Sequence, residues 1–109
     1  MDDSKDKGIS VLLICGGGAS SGFMAVNLRK AAKARGLELE AIARSEAEVE
    51  VYAAGVDVIM LGPHLAYLEN DMLERVKGTN AKVLVMERKY YSTLDGNKAL
   101  DHMLSVVEG

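Results

Sequence analysis

Two nearly continuous apolar runs, "ISVLLI" at 9–14 and "VDVIML" at 56–61, constrain this chain more than any other feature. A strand that is apolar at almost every position has no face to give to water, so it must be covered on both sides. Two further strand-like runs differ from these. "LELEAIA" at 37–43 alternates apolar with polar and fits a sheet edge, while "KVLVME" at 82–87 is short and ends in charge.

Helical spacing fills the intervals. Residues 20–35 place Met24, Leu28, Ala31 and Ala32 on one face, with Arg29, Lys30 and Lys33 off it, and Gly36 is a natural C′ stop. The stretch 45–55 carries a capping box, Ser45 with Glu48, and stops at Gly55. Its acidic run "SEAEVEVE" is a solvated helix start. Residues 65–78 space Leu65, Leu68, Met72, Leu73 and Val76 helically and end at Gly78, and 97–107 offers Leu100, Met103, Leu104 and Val107. Met60, Met72 and Met103 are expected in the core.

Strands alternating with helices across short connections predict a parallel sheet with right-handed crossovers and helices on both faces. With the two apolar strands central, the predicted order is 2-1-3-4, an open, four-stranded flavodoxin-like α/β fold. Its topological switch point lies between strands 1 and 3, where open α/β sheets bind ligands. The loop after strand 1 begins there at Cys15, and the loop after strand 3 brings Pro63 and His64.

At 109 residues, the chain suits a single domain, expected at 8–109 behind a flexible segment at 1–7. No apolar run approaches the ~20 residues that span a bilayer, and "MDDSKDKG" has no signal-like apolar core. A lone cysteine adds to the expectation of a cytoplasmic protein. A net charge of −3, dispersed basic residues and the absence of tryptophan argue against nucleic acid as a partner.

The loop "CGGGASSG" at 15–22 fails the familiar glycine-rich patterns. Counted as a P-loop from Gly17 it reaches Gly22, but Phe23 stands where lysine must hold phosphates. Counted as a dinucleotide fingerprint from Gly16 it finds Gly18, then Ser21 in place of the third glycine, with only Glu38 or Glu40 as an acidic partner. Flavin mononucleotide loops use hydroxyls and flanking aromatics instead. What remains puts the thiol first. A cysteine at a strand end, followed by small residues and a helix start, faces backbone N–H groups and the positive end of the helix dipole. These favour a thiolate, and equally a phosphoryl dianion carried on sulfur. Gly16, Gly17, Gly18 and Ala19 let the backbone curl around one anion, and Ser20 and Ser21 add hydroxyls, either of which doubles as a helix cap.

Low-molecular-weight tyrosine phosphatases use such a loop as C-x5-R, but the sixth residue after Cys15 is Ser21, and no arginine follows before Arg29. Asp95 is the one candidate for a general acid. The loop suits holding phosphate and passing it on better than releasing it to water. A hydrolase of this type and a non-enzymatic anion-binding module remain the alternatives.

Three blocks, in order, resemble one family. They are "CGGGASSGFMAVNLRKAAKARG" with Cys15, Gly18, Ser20 and Ser21, then "DVIMLGPHLAYL", then "YYSTLDGNKAL" before the last helix. Together they resemble the enzyme IIB component of the phosphoenolpyruvate-dependent sugar phosphotransferase system, lactose/cellobiose (chitobiose) type. The resemblance implies a phosphoryl relay: phosphohistidine on enzyme IIA donates to Cys15, which passes the group to a disaccharide held by membrane-embedded enzyme IIC. It implies docking at the membrane without insertion, no cofactor, and a monomer that releases each partner; two separated histidines and one cysteine make no metal motif. The chain departs from the family pattern at Gly16 and Gly17, where Ser or Ala is frequent, at Gly22, where a hydroxyl is frequent, and at His64, where glutamine is common.

His64 is a possible neighbour of the loop, or a plain surface histidine. His102, on the last helix, is expected to be structural or solvated. Tyr67, Tyr90 and Tyr91 are expected either to pack beneath the loops or to line a docking face, packing being the simpler reading.

Overall fold

The computed structural model describes residues 8–14 and 20–108, without the side chains of Ser20, Ser21 and Glu108. Four parallel strands, β1 (Ile9–Ile14), β2 (Leu39–Arg44), β3 (Val58–Leu61) and β4 (Lys82–Val85), form one sheet in the order β2-β1-β3-β4. Register runs Val11 to Ala41 and Val58, and Ile59 to Val83. The expected fold class and strand order both hold. The expected flexible segment at 1–7 lies outside the described residues.

The helices are α1 (Ser20–Ala34), α2 (Val49–Tyr52), α3 (Glu69–Arg75), α4 (Arg88–Tyr91) and α5 (Gly96–Glu108). Because side chains alternate along a strand, β1 splits its apolar run between two cores. Val11 and Leu13 join Met24, Leu28, Met60, Leu100 and Met103 beneath α1 and α5. Leu12 and Ile14 join Val49, Ile59, Leu61, Met72 and Val76 beneath α2 and α3. All four of Leu12, Leu13, Ile14 and Met60 are fully buried, as the continuous apolar runs require.

The element boundaries shift where the chain has other work to do. Strand β2 begins at Leu39 rather than 37, because the Leu37 N–H closes the end of α1 on the Ala32 carbonyl (2.8 Å), with Gly36 N–H on Lys33 (3.0 Å). That pair is a Schellman termination, and Gly36 sits at φ 75°. Strand β3 begins at Val58 rather than 56, since the Asp57 carboxylate is drawn to the Ser10 N–H (2.8 Å). The expected helix at 45–55 is instead a 3-10 turn (Glu46–Glu48), the short α2, and another 3-10 turn (Ala53–Gly55). Its capping box does form: the Glu48 carboxylate accepts from the Ser45 N–H and hydroxyl at 3.4 and 3.2 Å. The stretch expected to be helical at 65–78 is a 3-10 turn (Pro63–Leu68) running into α3. Leu73 is exposed rather than buried, because α3 turns only Met72 fully inward, with Val76 buried at its C-cap.

Candidate functional site

The end of the sheet where β1, β3 and β4 finish is tied together by backbone hydrogen bonds. The Gly62 N–H donates to the Ile14 carbonyl (3.0 Å), and the Met86 N–H to the Leu61 carbonyl (2.8 Å). The loop after β3 is thus fastened to the residue that immediately precedes Cys15. Cys15, Gly16, Gly17, Gly18 and Ala19 lie outside the described residues. Ser20, Ser21 and Gly22 form the first turn of α1, where the helical reading of 20–35 has them, and Gly22 is exposed with open space where a side chain would go. A helix of 15 residues therefore starts five positions beyond the cysteine in sequence, and a helix of that length carries a positive dipole end at its N-terminus.

Pro63 opens the 3-10 turn after β3, and Leu65 anchors it, buried, with its N–H on the Gly62 carbonyl (2.9 Å). Held between these two, His64 is exposed, with its ring 6.3 Å from that of Tyr91 at an interplanar angle of 46°. The structure brings together His64 from the 3-10 turn after β3 and Tyr91 from α4 after β4. Tyr91 closes α4, a four-residue helix with no periodic trace in the sequence.

The tyrosines divide. Tyr90 is buried, and its hydroxyl pairs with His102 Nδ1 at 2.6 Å, which makes His102 part of the packing between α4 and α5. Burial pushes the Tyr90 phenol up to about 12, so it stays protonated at neutral pH. Tyr67 corrects the expectation of packing: it is 77% exposed. Phe23, at the start of α1, is 60% exposed and was not singled out from the sequence. Its register gives it away, since it lies outside the set Met24, Leu28, Ala31 and Ala32 that the core takes.

The parts a phosphatase would need are committed elsewhere. The Arg29 guanidinium donates to the Ala41 carbonyl on the edge strand at 2.6 Å. The Asp95 carboxylate accepts the Lys98 N–H (3.1 Å), capping α5. The third sequence block therefore positions a helix. It also seats that helix: a Cβ on Gly96 would run into the Asn27 carbonyl, and the Asn27 amide donates to the Leu94 carbonyl (2.8 Å).

Other features lie away from this rim. Arg75 fastens α3 to the α2 region, donating to Glu50 at 2.7 and 2.9 Å and to Glu46 at 3.1 Å. A cavity of about 240 Å³ lined by Ser10, Glu40, Ile42, Tyr52 and Val56 opens at the beginnings of β1 and β2, the opposite end of those strands. Among the described residues no group of three His, Cys, Asp or Glu side chains could hold a metal. Among them too, no helix is long and apolar enough to cross a membrane.

Comparison with known proteins bears directly on this arrangement. The family model for "PTS system, Lactose/Cellobiose specific IIB subunit" matches residues 10–102. The oligo-beta-mannoside-specific EIIB component of Bacillus subtilis is 26% identical over 99 residues, covering 89% of this chain and 94% of that protein. The lactose-specific EIICB component of Lacticaseibacillus casei is 28% identical over 103 residues, 93% of this chain but only 18% of that longer protein. In fold, the lactose-specific IIB component domain from Streptococcus pneumoniae superposes with a TM-score of 0.83 at 20% identity, over 92% of this chain and 98% of that one. With a matched segment that runs from the second residue of β1 into α5, this chain belongs to the lactose/cellobiose-specific IIB subunits of the sugar phosphotransferase system.

Proposed function

We propose that Cys15 is the phosphoryl carrier of this IIB subunit, charged by phosphohistidine on an enzyme IIA and discharged to a disaccharide held by an enzyme IIC. The observation that carries the reading is the family match over 10–102, which spans Cys15 and the helix start beyond it. The name of the Lacticaseibacillus relative, EIICB, supports IIC as the acceptor's host, since a IIB-like segment there is part of a longer chain.

In the first step the Cys15 thiolate attacks phosphorus. The S–P bond forms as the N–P bond of phosphohistidine breaks, and the electron pair returns to the imidazole, which takes up a proton. In the second step a sugar hydroxyl attacks the same phosphorus. An O–P bond forms, the S–P bond breaks with its pair going to sulfur as thiolate, and the hydroxyl proton is lost to water. A thiolate suits both steps, being a strong nucleophile and a competent leaving group. Gly16, Gly17, Gly18 and Ala19 are assigned to curl amides around the phosphoryl oxygens, with Ser20, Ser21 and Gly22 opening α1 behind them. The relay calls for no cofactor. Phe23 and Tyr67 stand on elements leaving the same end of the sheet and supply exposed aromatic surface for transient docking. The domain 8–109 is taken to work as a cytoplasmic monomer.

Incubation with a phosphorylated lactose/cellobiose-type enzyme IIA tests this. Intact-mass measurement is expected to show one phosphoryl group on the native chain and none on Cys15→Ser. A native chain that stays unmodified with a panel of such donors overturns the reading. Hydrolysis of an aryl phosphate at pH 5–8 by the native chain, lost in Cys15→Ser, would move it to the phosphatases.

A further inference from the structure

We infer that Arg29 and Arg44 close the free edge of β2, so that a second copy of this chain cannot add its own β2 to the sheet there. The inference stands apart from the relay at Cys15. An open sheet has two edge strands, and each presents a row of backbone N–H and C=O groups to any strand that meets it. Here the edges are β2 and β4.

Hydrogen bonds fix which groups of β2 point outward. The Ile9 N–H donates to the Glu38 carbonyl (3.1 Å), and Ile9 lies in register with Leu39. Alternate residues of a parallel ladder face the neighbouring strand, so the backbone groups of Glu40 and Ile42 turn to β1 and those of Leu39, Ala41 and Ala43 turn away. Two of these three outward carbonyls hold a guanidinium, Ala41 that of Arg29 from α1 at 2.6 Å and Ala43 that of Arg44 at 2.8 Å. Arg44 is itself held in place, since its Nε donates to the Tyr52 hydroxyl (3.0 Å) and its guanidinium lies over the Tyr52 ring at 5.4 Å. An added strand would lie ~4.8 Å from β2 and would need the same carbonyls as acceptors. The guanidinium groups take both the acceptors and the space.

Without them β2 is a template for itself. It is six residues long and apolar at Leu39, Ala41, Ile42 and Ala43. Two copies related by a two-fold axis at Ala41 would set Leu39 of each opposite Ala43 of the other, so that every outward group meets an outward group. The other edge is protected by being short. Strand β4 has four residues, and the Lys82 and Met86 N–H groups donate to the carbonyls of Asp57 (2.9 Å) and Leu61 (2.8 Å), which leaves Val83 and Val85 facing out.

The test compares the native chain with Arg29→Met/Arg44→Met, which keeps unbranched apolar stems and removes both guanidinium groups. Its control, Lys30→Met/Lys33→Met, removes the same charge and adds the same side chains at exposed positions of α1 that make no hydrogen bond to β2. Mass is read by sedimentation equilibrium across a wide concentration range, with far-UV circular dichroism to follow the fold of each chain. Native and control chains are expected to keep one mass, while that of the arginine double variant rises by about twofold toward a dimer. Adding Ala43→Pro to the double variant is expected to restore the native mass. The Ala43 N–H points away from β1, so proline there removes no ladder bond but blocks an approaching strand. A double variant that stays at the native mass, a lysine control that rises as far, or association that Ala43→Pro leaves intact overturns the assignment. So does a native chain whose own association is abolished by Ala43→Pro. If the double variant does not fold, each single arginine variant carries the same test with a smaller expected rise.

Discussion

The two faces of the sheet are covered in different ways. On one, two long helices, α1 and α5, lie against each other and against Val11, Leu13, Met60 and Leu84. They are pinned by Arg35, which donates to the Asp101 carboxylate (2.8 Å) and the Asn97 carbonyl (3.2 Å), and by the close seat of Gly96 on Asn27. On the other face, α2 and α3 are short, separated by 3-10 turns, and clasped from outside by Arg75. The first face is a continuous apolar slab. The second is a patchwork held by turns and ion pairs. Packing is therefore longest and most regular on the first face, where α1 is buried along one stripe from Met24 to Ala32.

That contrast can be broken by mutation. Leu100→Ala removes a fully buried side chain from the α1–α5 slab and is expected to cost about 2–5 kcal/mol in urea unfolding. A loss under about 1 kcal/mol would mean that the slab is not tightly packed. Gly96→Ala, which drives a methyl group into the Asn27 carbonyl, is expected to cost about 1–3 kcal/mol, measured in the same way. Tyr90→Phe removes the hydroxyl paired with His102 and is expected to cost about 1 kcal/mol, with a blunter thermal transition of α5 by hydrogen exchange.

The smallest effect belongs to the clasp on the other face. The hydrogen bond from Arg75 holds the Glu50 carboxyl down to about 2 from the ordinary 4.5. A lowered folded value means that its contribution is complete above about pH 4.5 and fades as pH falls toward 2. Native protein is therefore expected to melt slightly above Glu50→Gln at pH 7, with the two converging between pH 4.5 and 2. Because Glu50 is solvent-exposed, the gap should be smaller than any of the three above. A gap that persists unchanged at pH 2 would show that the clasp does not act through this carboxylate.

The same contrast explains how much was legible in the sequence. Strand β1 and helix α1 follow directly from an unbroken apolar run and from the spacing of Met24, Leu28 and Ala31, because long, regular burial leaves a periodic trace. The patchwork face leaves a weaker one. Helix α2 has a single turn, so Val51 joins the apolar count while standing exposed, as does Leu73 on α3. Helix α4 is four residues set by the burial of Tyr90 against α5, a tertiary cause with no local pattern. At the candidate site, Cys15 and the loop glycines could be singled out because their chemistry is carried by residue type. The meeting of His64 with Tyr91 could not, since those residues are 27 positions apart and depend on where β3 and β4 end. Asp95 and Arg29, plausible reagents in the sequence, are a helix cap and a brace to the edge strand.

The most direct test of the central claim is to find which residue carries the phosphoryl group. After charging by a phosphorylated enzyme IIA, tryptic digestion should separate the peptide between Lys7 and Arg29, which holds Cys15, from those holding His64 and His102. The group is predicted on the 8–29 peptide, at Cys15, and absent from both histidine peptides. Phosphate on a histidine peptide, or on 8–29 in a Cys15→Ser chain, would contradict the relay.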